Sequence, residues 1–97
     1  MANALLSIQI IPKTKNGEDV IPYVDKAIAV IAKSGVPYQV NPLETTMEGD
    51  LAHLFSIVEE MNQVMIENGS PSVISQIKVL YQPSGASMDK LTEKYRP

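Results

Sequence analysis

Between Ser34 and Asp50 the chain gathers Gln39, Asn41, Glu44, Thr45, Thr46, Glu48 and Asp50. Hydroxyls and amides can donate hydrogen bonds, and carboxylates can accept them or balance a cation, so these residue types suit the recognition of a small polar molecule. The same stretch reads as the end of one helix, two short strands and a turn into a second helix. Strands buried on both faces carry fewer polar groups than this. Gln9, mid-strand near the amino end, and Tyr38, whose ring could stack on a heteroaromatic ligand, join the set of candidates.

Other chemistries are poorly supplied. There is no cysteine, which removes disulfides, thiolate metal sites and thiol catalysis. The single histidine, His53, falls in the first turn of a helix, with no serine and carboxylate spaced to make a triad. One histidine without cysteine cannot complete a tetrahedral zinc set, so neither a metal nor a cofactor is expected. The glycine-bearing loops at Asn16-Gly17 and Gly85 lack a phosphate-loop pattern. With no nucleophile and base to pair, the sequence reads as a binder rather than an enzyme.

The elements that must position these residues can be read from periodicity. Leu5 to Ile11 alternates and predicts a strand ended by Pro12, with Leu6, Ile8 and Ile10 on one face and Leu5, Ser7, Gln9 and Ile11 on the other. From Glu18 or Asp19 to Lys33 the spacing is helical, with Val20, Tyr23, Val24, Ala27, Ile28, Val30 and Ile31 recurring at threes and fours. Asp19 is placed to cap its start, Pro22 falls in the first turn, and Gly35 suits a left-handed C-cap. Pro37 to Pro42 and Leu43 to Glu48 read as two short strands, with Gly49-Asp50 breaking the second and Asp50 capping the next helix. That helix runs from about Leu51 to Glu67 on a stripe of Leu51, Leu54, Phe55, Val58, Met61, Val64 and Met65. Val73 to Tyr81 is the last strand, and Met88 to Tyr95 a short final helix.

The order β-α-β-β-α-β predicts an α+β, ferredoxin-like domain spanning 1–97. It has a four-stranded antiparallel sheet, both helices on one face, right-handed crossovers and a short C-terminal helix. The face opposite the helices then carries Leu5, Ile11 and their neighbours, an apolar surface that predicts homodimers or homotetramers through that sheet face.

Net charge is −3 and the pI about 5.0, with no Lys/Arg cluster, which argues against nucleic acid as a partner. No apolar run approaches the roughly 20 residues of a membrane span. The amino-terminal residues lack the charge of a signal peptide, so a cytoplasmic location is expected.

Ile10-Ile11-Pro12 closing the first strand, Ser34-Gly35-Val36-Pro37-Tyr38 leaving the first helix, Thr45, Glu48 and Gly49 in a Thr-x-x-Glu-Gly core, and Ile77-Lys78 in the last strand resemble the thiamine-binding protein family. The resemblance covers nearly the whole chain, and the Thr45–Gly49 core is its most specific part. It implies small ferredoxin-like oligomers that hold thiamine, or its hydroxymethylpyrimidine moiety, without catalysis. The chain departs from the family's pattern at Glu44 (commonly glycine), at Ser72 (often arginine) and at Tyr81-Gln82, where another basic residue is usual.

An aminopyrimidine presents ring-nitrogen acceptors and an amine donor, and so needs a hydroxyl or amide opposite a carboxylate. Thiamine adds a thiazolium cation, for which Glu44, Glu48 or Asp50 could supply charge. The candidate ligand-binding residues are therefore Gln9, Tyr38, Gln39, Glu44, Thr45, Thr46 and Glu48. The plainer readings stand beside them: threonines favour strands, Glu48 can be solvated at a turn, and Lys78 suits an ion pair with a strand carboxylate. A module that binds only protein is the alternative from another class.

Overall fold

The computed structural model describes residues 2–95; Met1, the lone arginine Arg96 and Pro97 lie outside them. Alternating residues produce strand β1 (Ala4–Pro12), which buries Ala4, Leu6 and Ile8 on one side. The helical stripe beyond it forms α1 (Ile21–Ser34). Its Pro22 needs no amide donor in the first turn, and Asp19 Oδ1 accepts the Ile21 N–H at 3.1 Å. Gly35, at φ 82°, ends the helix in the left-handed region where a Cβ would be strained.

Strands β2 (Tyr38–Val40) and β3 (Thr45–Gly49) are shorter than the sequence predicts. Pro42 has no N–H to give a ladder, and pairing between β1 and β3 stops at Ile8 opposite Thr45. Asn41 to Glu44 therefore form a turn, closed by the Asn41 N–H to the Glu44 carbonyl at 2.9 Å. Gly49 does not break β3; it pairs with Ala4.

Helix α2 (Leu51–Glu67) begins directly after β3 and Asp50. The carboxylate of Asp50 makes no capping bond; Asn3 caps the helix instead. Its Oδ1 accepts the Leu51 N–H at 2.9 Å and its Nδ2 donates to Asp50 Oδ1 at 3.0 Å. The buried stripe is Leu54, Ile57, Val58, Met61 and Met65, while Phe55, expected inside, is 46% exposed. Ile57 takes its place because α2 packs on α1 as well as on the sheet, so the buried face is wider and turned toward α1.

Strand β4 (Val73–Tyr81) completes a sheet in the order β2-β3-β1-β4, antiparallel throughout. The expected ferredoxin-like α+β fold is the one adopted. Leu6, Ile31, Met47, Leu54, Met61 and Met65 form the centre of a single core between sheet and helices. Each such side chain contributes about 1.5–3 kcal/mol by leaving water.

The described residues end in helix α3 (Met88–Thr92) and a 3-10 turn over Glu93–Tyr95. The approach to α3 is tied to the start of β1, by the Gln82 N–H to Asn3 O at 2.8 Å and the Ala86 N–H to Ala2 O at 3.0 Å.

Candidate functional site

Register decides which candidates can act together. Directly opposed residues in an antiparallel pair share a face. Ser7 pairs with Thr46 on one side and Lys78 on the other, and Gln39 pairs with Thr46. Gln39, Thr46, Ser7 and Lys78 thus form one row across the face away from α1 and α2. Gln9 and Gln76 form the neighbouring row on one side, and Glu48, Leu5 and Leu80 the row on the other.

Glu44 reaches this face from the β2–β3 turn. Its Oε2 accepts the Ser7 hydroxyl at 3.1 Å and its Oε1 lies 3.3 Å from Lys78 Nζ. The pairing foreseen for Lys78 is with this turn residue rather than one inside a strand. The lysine is 78% exposed and the carboxylate 32%, so the pair is open to water and can exchange partners. Beside it lies an open cleft of about 420 Å³, lined by Gln9, Leu43, Glu44, Gln76, Ile77 and Lys78. Two amides, a carboxylate and an ammonium group bordered by aliphatic carbon can grip a polar heterocycle by its edge.

Three candidates have other positions. Thr45 and Tyr38 share the opposite face with Met47, because adjacent strand residues point to opposite sides. Thr45 is buried there, near a second cavity of about 390 Å³ between the Asn41–Glu44 turn and α1, walled by Val24, Ile28 and Met61. Glu48 is on the open face but is engaged: its Oε1 accepts the Met88 N–H at 2.8 Å and holds the start of α3 against the sheet. Gln39 Nε2 lies 3.5 Å from Asn41 Oδ1 and is otherwise exposed.

Ser7 and Gln76 belong to the cleft or its border, although neither stood out as a site residue in the sequence. The signal was available: Ser7 with Gln9, and Gln76 with Lys78, are polar at period two in otherwise aliphatic strands.

The fold and this face define a small ferredoxin-like domain with a polar cleft on the sheet face opposite α1 and α2, part of which, around the buried Leu5, lies near α3. A model of the family described as thiamine-binding protein matches residues 6–96. The chain belongs to that family. A UPF0045 protein of Clostridium perfringens is 40% identical over 91 residues, covering 94% of this chain and 95% of its own. A solved domain of unknown function from Bacillus cereus superposes with a TM-score of 0.90 at 39% identity, over 98% of this chain and 92% of its own. A Thermotoga maritima protein assigned provisionally to thiamine biosynthesis or salvage gives 0.85 at 27% identity, over 96% and 98%. None of these descriptions names an enzymatic reaction. Among the described residues no helix is long and apolar enough to cross a membrane.

Proposed function

We propose that the protein binds thiamine or a related hydroxymethylpyrimidine in the cleft beside Glu44, without catalysis, as a cytoplasmic homo-oligomer that sequesters or delivers the ligand. The observation that carries this reading is the carboxylate of Glu44, held by Ser7 and Lys78 on the rim of a cleft that also offers the amides of Gln9 and Gln76. The carboxylate and amides match the amine and ring nitrogens of an aminopyrimidine. A thiazolium cation can displace Lys78 from Glu44 with little loss, since the pair is solvated. The cleft volume of about 420 Å³ lies within the usual range for small-ligand sites. Family membership supports the ligand class. In this reading Gln9, Glu44 and Thr46 touch or border the ligand, while Thr45 and Tyr38 stabilise the opposite face and Glu48 secures α3.

Isothermal titration with thiamine and with hydroxymethylpyrimidine tests the proposal. Saturable heat from at least one is expected; silence from both at millimolar concentration removes it. A second reading, an assembly module that binds only protein, is favoured by the exposure of Leu43 (76%) in the cleft and of Ile74 (62%) on β4. Native mass spectrometry of freshly purified protein separates the two by the presence or absence of a retained small molecule.

A further inference from the structure

Asn-Gly occurs twice in the chain, at Asn16-Gly17 and at Asn68-Gly69. Neither dipeptide lines the cleft beside Glu44. Each sets a side-chain carboxamide next to a backbone nitrogen whose own residue has no Cβ to shield it. From that arrangement an asparagine can cyclise onto the chain that carries it. The fold treats the two dipeptides differently.

Asn16 and Gly17 are exposed in the loop between β1 and α1. Their φ values of 55° and 72° are both positive, and the Glu18 N–H bonds to the Lys15 carbonyl at 3.1 Å. This is a tight turn of the primed class, which favours asparagine and glycine at its two central positions. One backbone bond, open to water, closes it. Among the described residues the Asn16 carboxamide and the Gly17 N–H have no hydrogen-bond partner. A Cβ built on Gly17 would meet nothing within 4 Å, so its nitrogen is open to approach.

Asn68 follows the last turn of α2, and its groups are engaged. Its Nδ2 donates to the Val64 carbonyl at 2.7 Å, and its Oδ1 accepts from Lys26 Nζ. The Gly69 N–H donates to the Ile66 carbonyl at 3.0 Å. The Ser70 N–H, bonded to the Met65 carbonyl at 3.1 Å, holds the next residue in place, and Ser70 is buried.

We infer that Asn16 is a self-modifying site, at which the folded chain loses ammonia, and that the end of α2 protects Asn68 from the same reaction. The Gly17 nitrogen attacks Cγ of Asn16 and releases its proton to water. The new N–Cγ bond closes a cyclic imide as the bond from Cγ to the amide nitrogen breaks, and that nitrogen leaves as ammonia. Water then opens the ring in one of two ways. Breaking the N–Cγ bond leaves aspartate at position 16. Breaking the bond from the Gly17 nitrogen to the Asn16 main-chain carbonyl leaves isoaspartate, with the chain running through the former side chain. Nothing is oxidised or reduced, and water is the only co-reactant. Either product adds one negative charge to the net charge of −3. Aspartate tolerates the left-handed conformation that the turn needs. Isoaspartate lengthens the backbone by a methylene and cannot keep the bond from Glu18 to Lys15 in register.

The bond count sets the size of the contrast. Opening the turn at Asn16 breaks one backbone bond, whereas freeing Asn68 and the Gly69 nitrogen breaks three. The excess of two, at the usual net worth of a hydrogen bond, corresponds to roughly 5- to 150-fold in rate.

The test keeps the full chain in mildly alkaline buffer at physiological temperature, without ligand, beside an aliquot in guanidinium chloride. Mass spectrometry of peptides containing residues 16 and 68 follows the gain from amide to acid, and enzymatic methylation counts isoaspartate. In the folded chain Asn16 should convert roughly 5- to 150-fold ahead of Asn68, and in guanidinium the two rates should converge. Asn16→Gln, whose side chain would have to close a larger and slower ring, should lose conversion at 16 and keep the slow rate at 68; thermal melts check its fold. Folded-state rates within about twofold of each other, or Asn68 ahead, overturn the inference. So does a folded chain that keeps the Asn16 amide while the denatured chain loses it. A ratio that persists unchanged in guanidinium also overturns it, because neighbouring sequence rather than the fold would then set the contrast.

Discussion

Replacing Glu44 with Gln preserves shape and lets the side-chain carbonyl keep accepting from Ser7, while the negative charge is lost. What the structure predicts is a separation of two quantities. The ion pair with Lys78 is largely solvated, so its loss costs about 0–1 kcal/mol of stability. In a domain of this size 1 kcal/mol corresponds to roughly 4–8 °C in melting temperature, so the shift should stay at or below that. A charge-assisted hydrogen bond to a bound amine or cation contributes about 1.5–3 kcal/mol. At 1.4 kcal/mol per decade, affinity for thiamine should fall roughly 10- to 150-fold. Titration calorimetry of parent and Glu44→Gln at physiological ionic strength, with melts on the same samples, measures both. An affinity unchanged within about twofold would refute the role of this carboxylate. A melting temperature that collapses would show instead that Glu44 is a structural residue and that the pair is far less exposed to water than its geometry implies.

Glu48→Ala should release α3, because the Met88 N–H loses its acceptor. The expected loss is about 1 kcal/mol, with faster amide exchange over Met88–Thr92, and retained protection there would contradict the latch. Asn3→Ala should cost about 1 kcal/mol through the uncapped Leu51 N–H, measured by chemical unfolding; an unchanged midpoint would argue against the cap. Partial removal from water, and then the charge and hydrogen bond of Glu18, raise the Tyr23 phenol above its usual pKa of 10.0. Its contribution to stability is therefore complete below the ordinary tyrosine range and is lost as pH climbs through the folded value. Glu18→Gln should lower the titration midpoint followed by NMR, and no movement would exclude that carboxylate as a cause.

The long elements were legible because their signals are local. Period two in Leu5–Ile11 and Val73–Tyr81, and period near 3.6 in the helices, each repeat often enough to survive one exception such as Phe55. The β2–β3 corner is harder to read, since Pro42, Leu43 and Glu44 could extend either strand until β1's pairing is known. Asp50 satisfied every local rule for a cap, yet Asn3, 48 residues before Leu51, makes the bond; no window along the sequence contains that competitor. The site was legible in composition and less so in arrangement. Gln9, Glu44 and Thr46 are gathered on one face or its rim. Thr45 and Tyr38 are not, and alternation alone separates Thr45 from Thr46. The latch at Glu48 depends on where the C-terminal helix returns, which the strand pattern does not specify.

The turn Asn41–Glu44 is a thin partition with a chamber on either side: Leu43 and Glu44 border both the cleft on the open face and the cavity against α1. None of its residues belongs to a strand or helix. Exchanging Pro42 or Leu43 for a smaller or larger neighbour would reshape two compartments at once while every rung of the ladder stays in place. Descendants of this scaffold can thus drift toward new guests by editing one hinge-like wall, leaving the load of folding where it already rests.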